Sequence, residues 1–219
     1  MSVTTAPPIF ETVAELLAHL GDIPPERVRL HPAPGTATEE DVIRVEAKEN
    51  RLCELVDGTL VEKAMGFLES LLTVELIVVL GGFVKQHNLG VVAGADGTIK
   101  LAPGLVRIPD ISFISWDRLP DRKVPREPIP HLAIDLAVEV LSKSNTRKEM
   151  ERKCLEYFEA GARLVWYIDP KTRTAQVYTA PDQSTVLSDA QTLDGGDVLP
   201  GFAVLLQELF DRVERGPDA

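Results

Sequence analysis

The chain has 219 residues, 44% of them hydrophobic and only 5% aromatic, with a formal net charge of −11. That length suits one well-packed domain with a core of Leu, Val, Ile and Ala, and two domains would be crowded. The acidic balance argues against non-specific binding of nucleic acid or anionic membrane by the protein as a whole, though it leaves room for a local basic patch.

Two cysteines, Cys53 and Cys154, without a CxxC pair or a Cys/His cluster, make neither a disulfide scaffold nor a structural zinc site. The opening "MSVTTAPPIF" has no basic n-region and no apolar h-region, so it does not read as a signal peptide. In "ETVAELLAHL", Val13, Leu16, Leu17 and Leu20 recur at helical spacing. A Pro- and Gly-rich stretch follows, and residues 1–45 are expected to form an N-terminal arm of one short helix and coil.

"RLCELVDGTLVEK" predicts a hairpin in which Asp57-Gly58 forms a two-residue type I′ turn. From Gly66 to about Asn88 a long helix is predicted. It is apolar nearly all round, which suits burial on several sides or a homodimer interface through residues 66–88. With Glu69 and Glu75 in it, the charge-free run is too short to span a bilayer. A cytoplasmic protein with no membrane partner is expected.

"GVVAGADGTIKLAPGLVRIPDISFIS" reads as short strands broken by Gly and Pro. "DISFIS" starts directly after Pro109, which suits an edge strand or a first strand residue. "DRLPDRKVPREPIPH" is a Pro-rich, locally basic loop. A strand over 135–141 comes next, then a helix from about Asn145 to Ala160 with Gly161 as its C-cap residue. "RLVWYIDP" and "TAQVYTA" are two further strands around a Pro170–Thr172 turn. Strand, helix and strand form a βαβ crossover, so strands 135–141 and 163–168 should be parallel, with a right-handed connection. "LPGFAVLLQELFDRV" should close with a short helix, and residues 213–219 should be a flexible tail. The order predicts an α/β (α+β) fold with a mixed central sheet flanked by helices, its domain spanning residues 46–212.

Three residues strain a purely structural explanation. Asp110 opens a strand after Pro109, and Glu139 lies inside "AVEVL". Strand alternation puts Asp135, Ala137, Glu139 and Leu141 on one side. An ionised, unpaired carboxylate there costs several kcal/mol, so Glu139 needs a cation. On the next helix, Met150, Cys154, Tyr157 and Phe158 define the inward face and Lys153 lies on its rim. The spacing leaves two partners open for Glu139: an ordinary ion pair with Lys153, or a hard divalent cation bound by Asp110, Glu139 and water. Asp135 lies about 13 Å from Glu139 along the strand, outside one coordination sphere, and reads as structural.

"RIPDISFIS", "DLAVEVLSKSNTRKEMERKCLEYFEAG" and "RLVWYIDP" resemble the Uma-type restriction endonuclease family, within the PD-(D/E)XK nuclease superfamily. The resemblance covers about residues 45–210. It implies a restriction-endonuclease-like core and a Mg²⁺- or Mn²⁺-dependent endonuclease that hydrolyses DNA phosphodiester bonds. Asp110 and Glu139 would be the metal ligands. Leu141 stands where the superfamily pattern has lysine, and the resemblance implies Lys153 as the substitute. Glu54 and Glu69 are candidates for a further carboxylate, each with an equally plain structural role. Asp169 fits a cap on the turn before Pro170.

DNA would be met by two locally basic stretches, with Arg122, Lys123, Arg147 and Lys148 as candidate contacts. The competing expectation is a catalytically inactive nuclease-fold protein acting as a binding or oligomerisation module. A small-molecule hydrolase lacks support, because there is no G-x-S-x-G elbow and no Gly-rich phosphate loop.

Overall fold

Strand residues 136–140 set the middle of the molecule, because their two faces feed two different cores. A computed structural model describes residues 8–64 and 66–214. Its helices are α1 (Val13–His19), α2 (Glu39–Glu49), α3 (Phe67–Gln86), α4 (Arg147–Glu159) and α5 (Leu206–Glu214). Its strands are β1 (Cys53–Val56), β2 (Thr59–Glu62), β3 (Gly90–Ala93), β4 (Ile99–Ala102), β5 (Leu105–Arg107), β6 (Ile111–Ser115), β7 (Leu136–Val140), β8 (Leu164–Asp169), β9 (Thr174–Ala180), β10 (Gln183–Ser188), β11 (Thr192–Gly195) and β12 (Leu199–Leu205).

The central sheet has the order β10-β9-β8-β7-β6-β3. It is mixed: β7 and β8 run parallel, joined through α4, and the other neighbours are antiparallel. Strand β6 lies inside the sheet, between β7 and β3. Pro109 is tolerated because it precedes the first paired residue and removes no ladder hydrogen bond. A second sheet has the order β2-β1-β5-β4. Its β1–β2 turn has positive φ at both Asp57 (47°) and Gly58 (73°), as a type I′ turn requires.

On one face of β7, Leu136, Val138 and Val140 pack with Leu72, Leu76, Leu80 and Val84 of α3 and with Phe210 of α5. On the other, Ala137 joins Val165 and Tyr167 against Met150, Cys154 and Tyr157 of α4. The expected alternation is therefore present, and it leaves Glu139 facing α4. Helix α4 is capped by Thr146, whose hydroxyl accepts the Glu149 N–H. It gives way to Gly161 at φ +96°.

Four expectations need correction. The segment read as coil after the first helix contains α2. Its start is a capping box, in which Asp41 accepts the Thr38 N–H, and Val42 and Val45 bury against Leu55 and Leu60. Strands β10, β11 and β12 lie outside the expected set; exposed, polar "QSTVLS" of β10 carries little hydrophobic period. Residues 213 and 214, expected in a flexible tail, belong to α5, and the rest of that expected tail, 215–219, lies outside the described residues. Helix α3 is buried along one side only, which corrects the first of its two expected settings, burial on several sides. By length and hydropathy it could cross a membrane, but Leu72, Leu76 and Leu80 are sealed in the core while Phe67, Val74 and Val78 face outward.

Candidate active site

The antiparallel register of β6 and β7 pairs Ile111 with Val138. Extended by one residue, it sets Asp110 across from Glu139. Asp110 Oδ2 accepts the Val140 N–H at 2.7 Å, which fixes the carboxylate against β7. Its Oδ1 lies 2.8 Å from Lys63 Nζ, and that ammonium also donates to the Ile108 carbonyl at 2.6 Å. Lys63 directly follows β2, so the hairpin delivers it to the start of β6.

Glu139 Oε1 accepts from Lys153 Nζ at 3.1 Å and from the Tyr157 hydroxyl at 2.5 Å. Lys153 and Tyr157 are one helical turn apart on α4, so both reach the same oxygen. Lys153 Nζ is also 3.0 Å from Glu54 Oε1. Glu54 Oε2 pairs with Arg107 Nη1 at 2.7 Å, and Arg107 Nη2 pairs with Glu156 at 2.6 Å. Glu54, Arg107, Asp110, Glu139, Lys153 and Glu156 are all buried.

The charges are unequally satisfied. Burial would raise the Glu54 carboxyl, but Lys153 and Arg107 outweigh it and hold the group well below the usual carboxylate range. Burial also opposes the charge on Lys153, and Glu139 and Glu54 overcome it, so its pKa is raised. Glu139 moves the other way. Burial is the main cause and the negative charge of Asp110 adds to it; together they outweigh Lys153 and raise the carboxyl above its ordinary value. Of Glu54 and Glu139, Glu139 is the one still short of positive charge.

Among the described residues, no group of three or more His, Cys, Asp or Glu side chains is arranged to hold a metal ion. The donors at Asp110 and Glu139 are nevertheless hard oxygens, and Mg²⁺ commonly uses one or two carboxylates and keeps several waters. The hydrogen bonds from Lys153 and Tyr157 both fall on Glu139 Oε1, and Oε2 accepts none from a described residue. By chemistry, the pair fits a Mg²⁺ or Mn²⁺ ion.

The family model described as "Uma2: Putative restriction endonuclease" matches residues 40–208. The chain belongs to the Uma2 family. No curated protein matches it. Among solved structures, it is similar to the crystal structure of "a putative nuclease belonging to DUF820" from Anabaena variabilis ATCC 29413. The two share 20% identity at a TM-score of 0.67, over 75% of this chain and 92% of that one. At that identity the likeness speaks for the fold, the restriction-endonuclease-like arrangement of mixed sheet and flanking helices.

Within this Uma2 fold the sequence candidates separate. Asp110, Glu139, Lys153 and Glu54 come together in one buried cluster. Glu69 stands apart at the start of α3, on an open cleft of about 630 Å³ with Leu141, Lys143, Arg147 and Lys171. The candidate DNA contacts fall at opposite ends of β7. Arg122 pairs with Asp117 near Arg118, whose partner Asp135 precedes β7. Arg147 and Lys148 open α4, beyond the strand's other end, and pair with Glu151 and Asp22. Asp135 is structural, accepting the Ser115 N–H at 2.8 Å and Arg118 Nε at 3.2 Å. Asp169 caps its turn through the Lys171 N–H.

Sequence reasoning missed Lys63, Arg107, Glu156 and the Tyr157 hydroxyl. The signal for Arg107 was an arginine enclosed by Val106 and Ile108 in a short strand. Lys63 had no signal of its own, because its contact depends on how the two sheets meet.

Proposed function

We propose that this Uma2-family protein is a metal-dependent endonuclease that hydrolyses DNA phosphodiester bonds at the Asp110–Glu139–Lys153 cluster. The observation that carries this reading is the facing of Asp110 and Glu139 across β6 and β7, with the Lys153 ammonium 3.1 Å from Glu139. Asp110 and Glu139 would hold Mg²⁺ or Mn²⁺, with water completing the shell. When bound, such an ion polarises a phosphate oxygen and lowers the pKa of a coordinated water.

The chain's own residues supply the rest. Tyr157 and Lys153 occupy Oε1 of Glu139 and leave Oε2 as the open donor. The Val140 N–H orients Asp110. Lys153 is kept charged by Glu54 and Glu139. Its ammonium can orient the attacking water or meet the negative charge that develops on the phosphate oxygens. Glu54 acts on Lys153 and so is a positioning residue. Lys143 and Lys171 line the cleft beyond β7 without an acidic partner among the described residues, which suits a phosphate backbone.

The test is cleavage of plasmid and single-stranded DNA with Mg²⁺ or Mn²⁺. Wild type should cut only with metal, Asp110→Ala should be inactive, and Lys153→Met should be slower by about two to three orders of magnitude. Equal rates in wild type and Lys153→Met would remove Lys153 from the mechanism.

One observation favours a second reading, an inactive nuclease fold used for self-association. Phe67, Leu71, Val74 and Val78 form an exposed stripe along α3 at i, i+4, i+7 and i+11, the spacing of a paired helix seam. Sedimentation of wild type against Val74→Glu/Val78→Glu tests it. A wild-type dimer that the double variant dissolves, together with no DNA cleavage at any metal concentration, would select this reading.

A further inference from the structure

We infer that Lys63 is a built-in counter-ion, which holds the cation position at Asp110 in the metal-free protein and swings out toward Asp96 when a divalent ion binds. The inference rests on the metal-dependent reading above and assigns to it a residue that the family resemblance did not point to.

The Lys63 ammonium lies between two hard oxygens, Asp110 Oδ1 at 2.8 Å and the Ile108 carbonyl at 2.6 Å. Hard oxygens of this kind also suit a divalent cation. Its charge reaches further, favouring the ionised forms of both Glu54 and Glu139. One ammonium therefore supports all three inner carboxylates. An ion bound to Asp110 and an ammonium on the same oxygen would repel each other strongly in this buried setting.

The structure also provides a way out. The Lys63 backbone is fixed, its N–H bonded to the Leu52 carbonyl at 2.9 Å, so movement is confined to the flexible side chain. The side chain is 9% exposed and borders an open cavity of about 220 Å³, lined by Leu52, Lys63, Ala95 and Asp96. Asp96 is exposed in the turn closed by the Gly97 N–H to the Gly94 carbonyl, and it has no ion-pair partner among the described residues. The Lys63 side chain thus has Asp110 on its inner side and Asp96 on the cavity that it borders. Asp110 serves the metal-free state and Asp96 the loaded state.

Calorimetric titration of the full-length protein with Mn²⁺ alone tests this. Lys63→Met should bind Mn²⁺ about tenfold more tightly than wild type, because no ammonium has to be displaced. Asp96→Asn should bind several-fold more weakly in the wild-type background and unchanged in the Lys63→Met background. Equal or weaker binding by Lys63→Met overturns the inference, as does an Asp96→Asn effect of the same size in both backgrounds. If Lys63→Met does not fold, Asp96→Asn decides: weaker binding supports the inference and unchanged binding overturns it. Asp110→Ala separates the levels. If it binds as wild type does, the metal reading fails and takes the inference with it. If it alone loses binding while Lys63→Met matches wild type, only the role of Lys63 falls.

Discussion

Arg107 and Glu54 lie across from each other on β5 and β1, joined at 2.7 Å with 3% and 1% of their surfaces exposed. Their strands pair antiparallel at Leu55–Val106, and the next step of that register brings these two together. Arg107 is the hinge between sheet and site. It holds Glu54, which holds Lys153, and it anchors Glu156 on α4.

Arg107→Leu is therefore expected to lower stability by about 3–5 kcal/mol, because it leaves Glu54 and Glu156 as buried charges with reduced compensation. Urea unfolding measures this. A milder loss is expected for Arg107→Leu combined with Glu54→Gln, since the second change removes one stranded charge. Additive losses in the double variant would show that the two residues are not coupled.

The opposite shifts of Glu54 and Glu139 give the metal-free protein a two-sided pH response. Glu139 has a folded pKa above its ordinary 4.5, so the folded state binds more protons and stability falls as pH rises from about 4.5 through that value. Glu54 has a folded pKa below 4.5, so its contribution is full above 4.5 and is lost as pH falls through the folded value. Denaturation across a pH series in a chelating buffer should show stability rising as pH drops toward about 4.5 and falling below it. Glu139→Gln should flatten the upper limb and keep the lower one. An unchanged upper limb in that variant would assign it to another group.

The sheet and its crossover were legible because they depend on local pattern. "DLAVEV" alternates, α4 has a clear inward face, and Asp57-Gly58 permits few turns. Glu139 is legible for a related reason: it is a charge where the strand pattern calls for core, and such a charge needs a partner, whereas Asp110 after Pro109 and Lys153 on the rim of the inward face of α4 gain meaning only beside it. The identity of the partners was not legible. Lys63 and Arg107 arrive from the smaller sheet, 47 and 3 residues before Asp110, and their distances to the site follow from sheet-to-sheet placement that no period encodes. The same holds for Arg27, whose bidentate bond to Glu149 ties the N-terminal segment to α4 across 122 residues. Helix α3 shows the opposite failure. Its sequence is apolar all round, so the pattern could not say which side is core.

That ambiguity in α3 gives a stability test. Leu76 is fully buried against Leu136 and Val138 of β7 and its neighbours, whereas Val78, half a turn away, is 62% exposed. Leu76→Ala should cost about 2–5 kcal/mol, the transfer loss plus the cavity it leaves. Val78→Ala should change stability by no more than about 0.5 kcal/mol, since it removes a side chain that water already reaches. Chemical denaturation at low protein concentration compares the two. If the stripe seals a dimer, the Val78→Ala loss should grow with protein concentration, because association then contributes to the folded state. A large, concentration-independent loss for Val78→Ala would place that side chain in the core and contradict the outward orientation of the stripe.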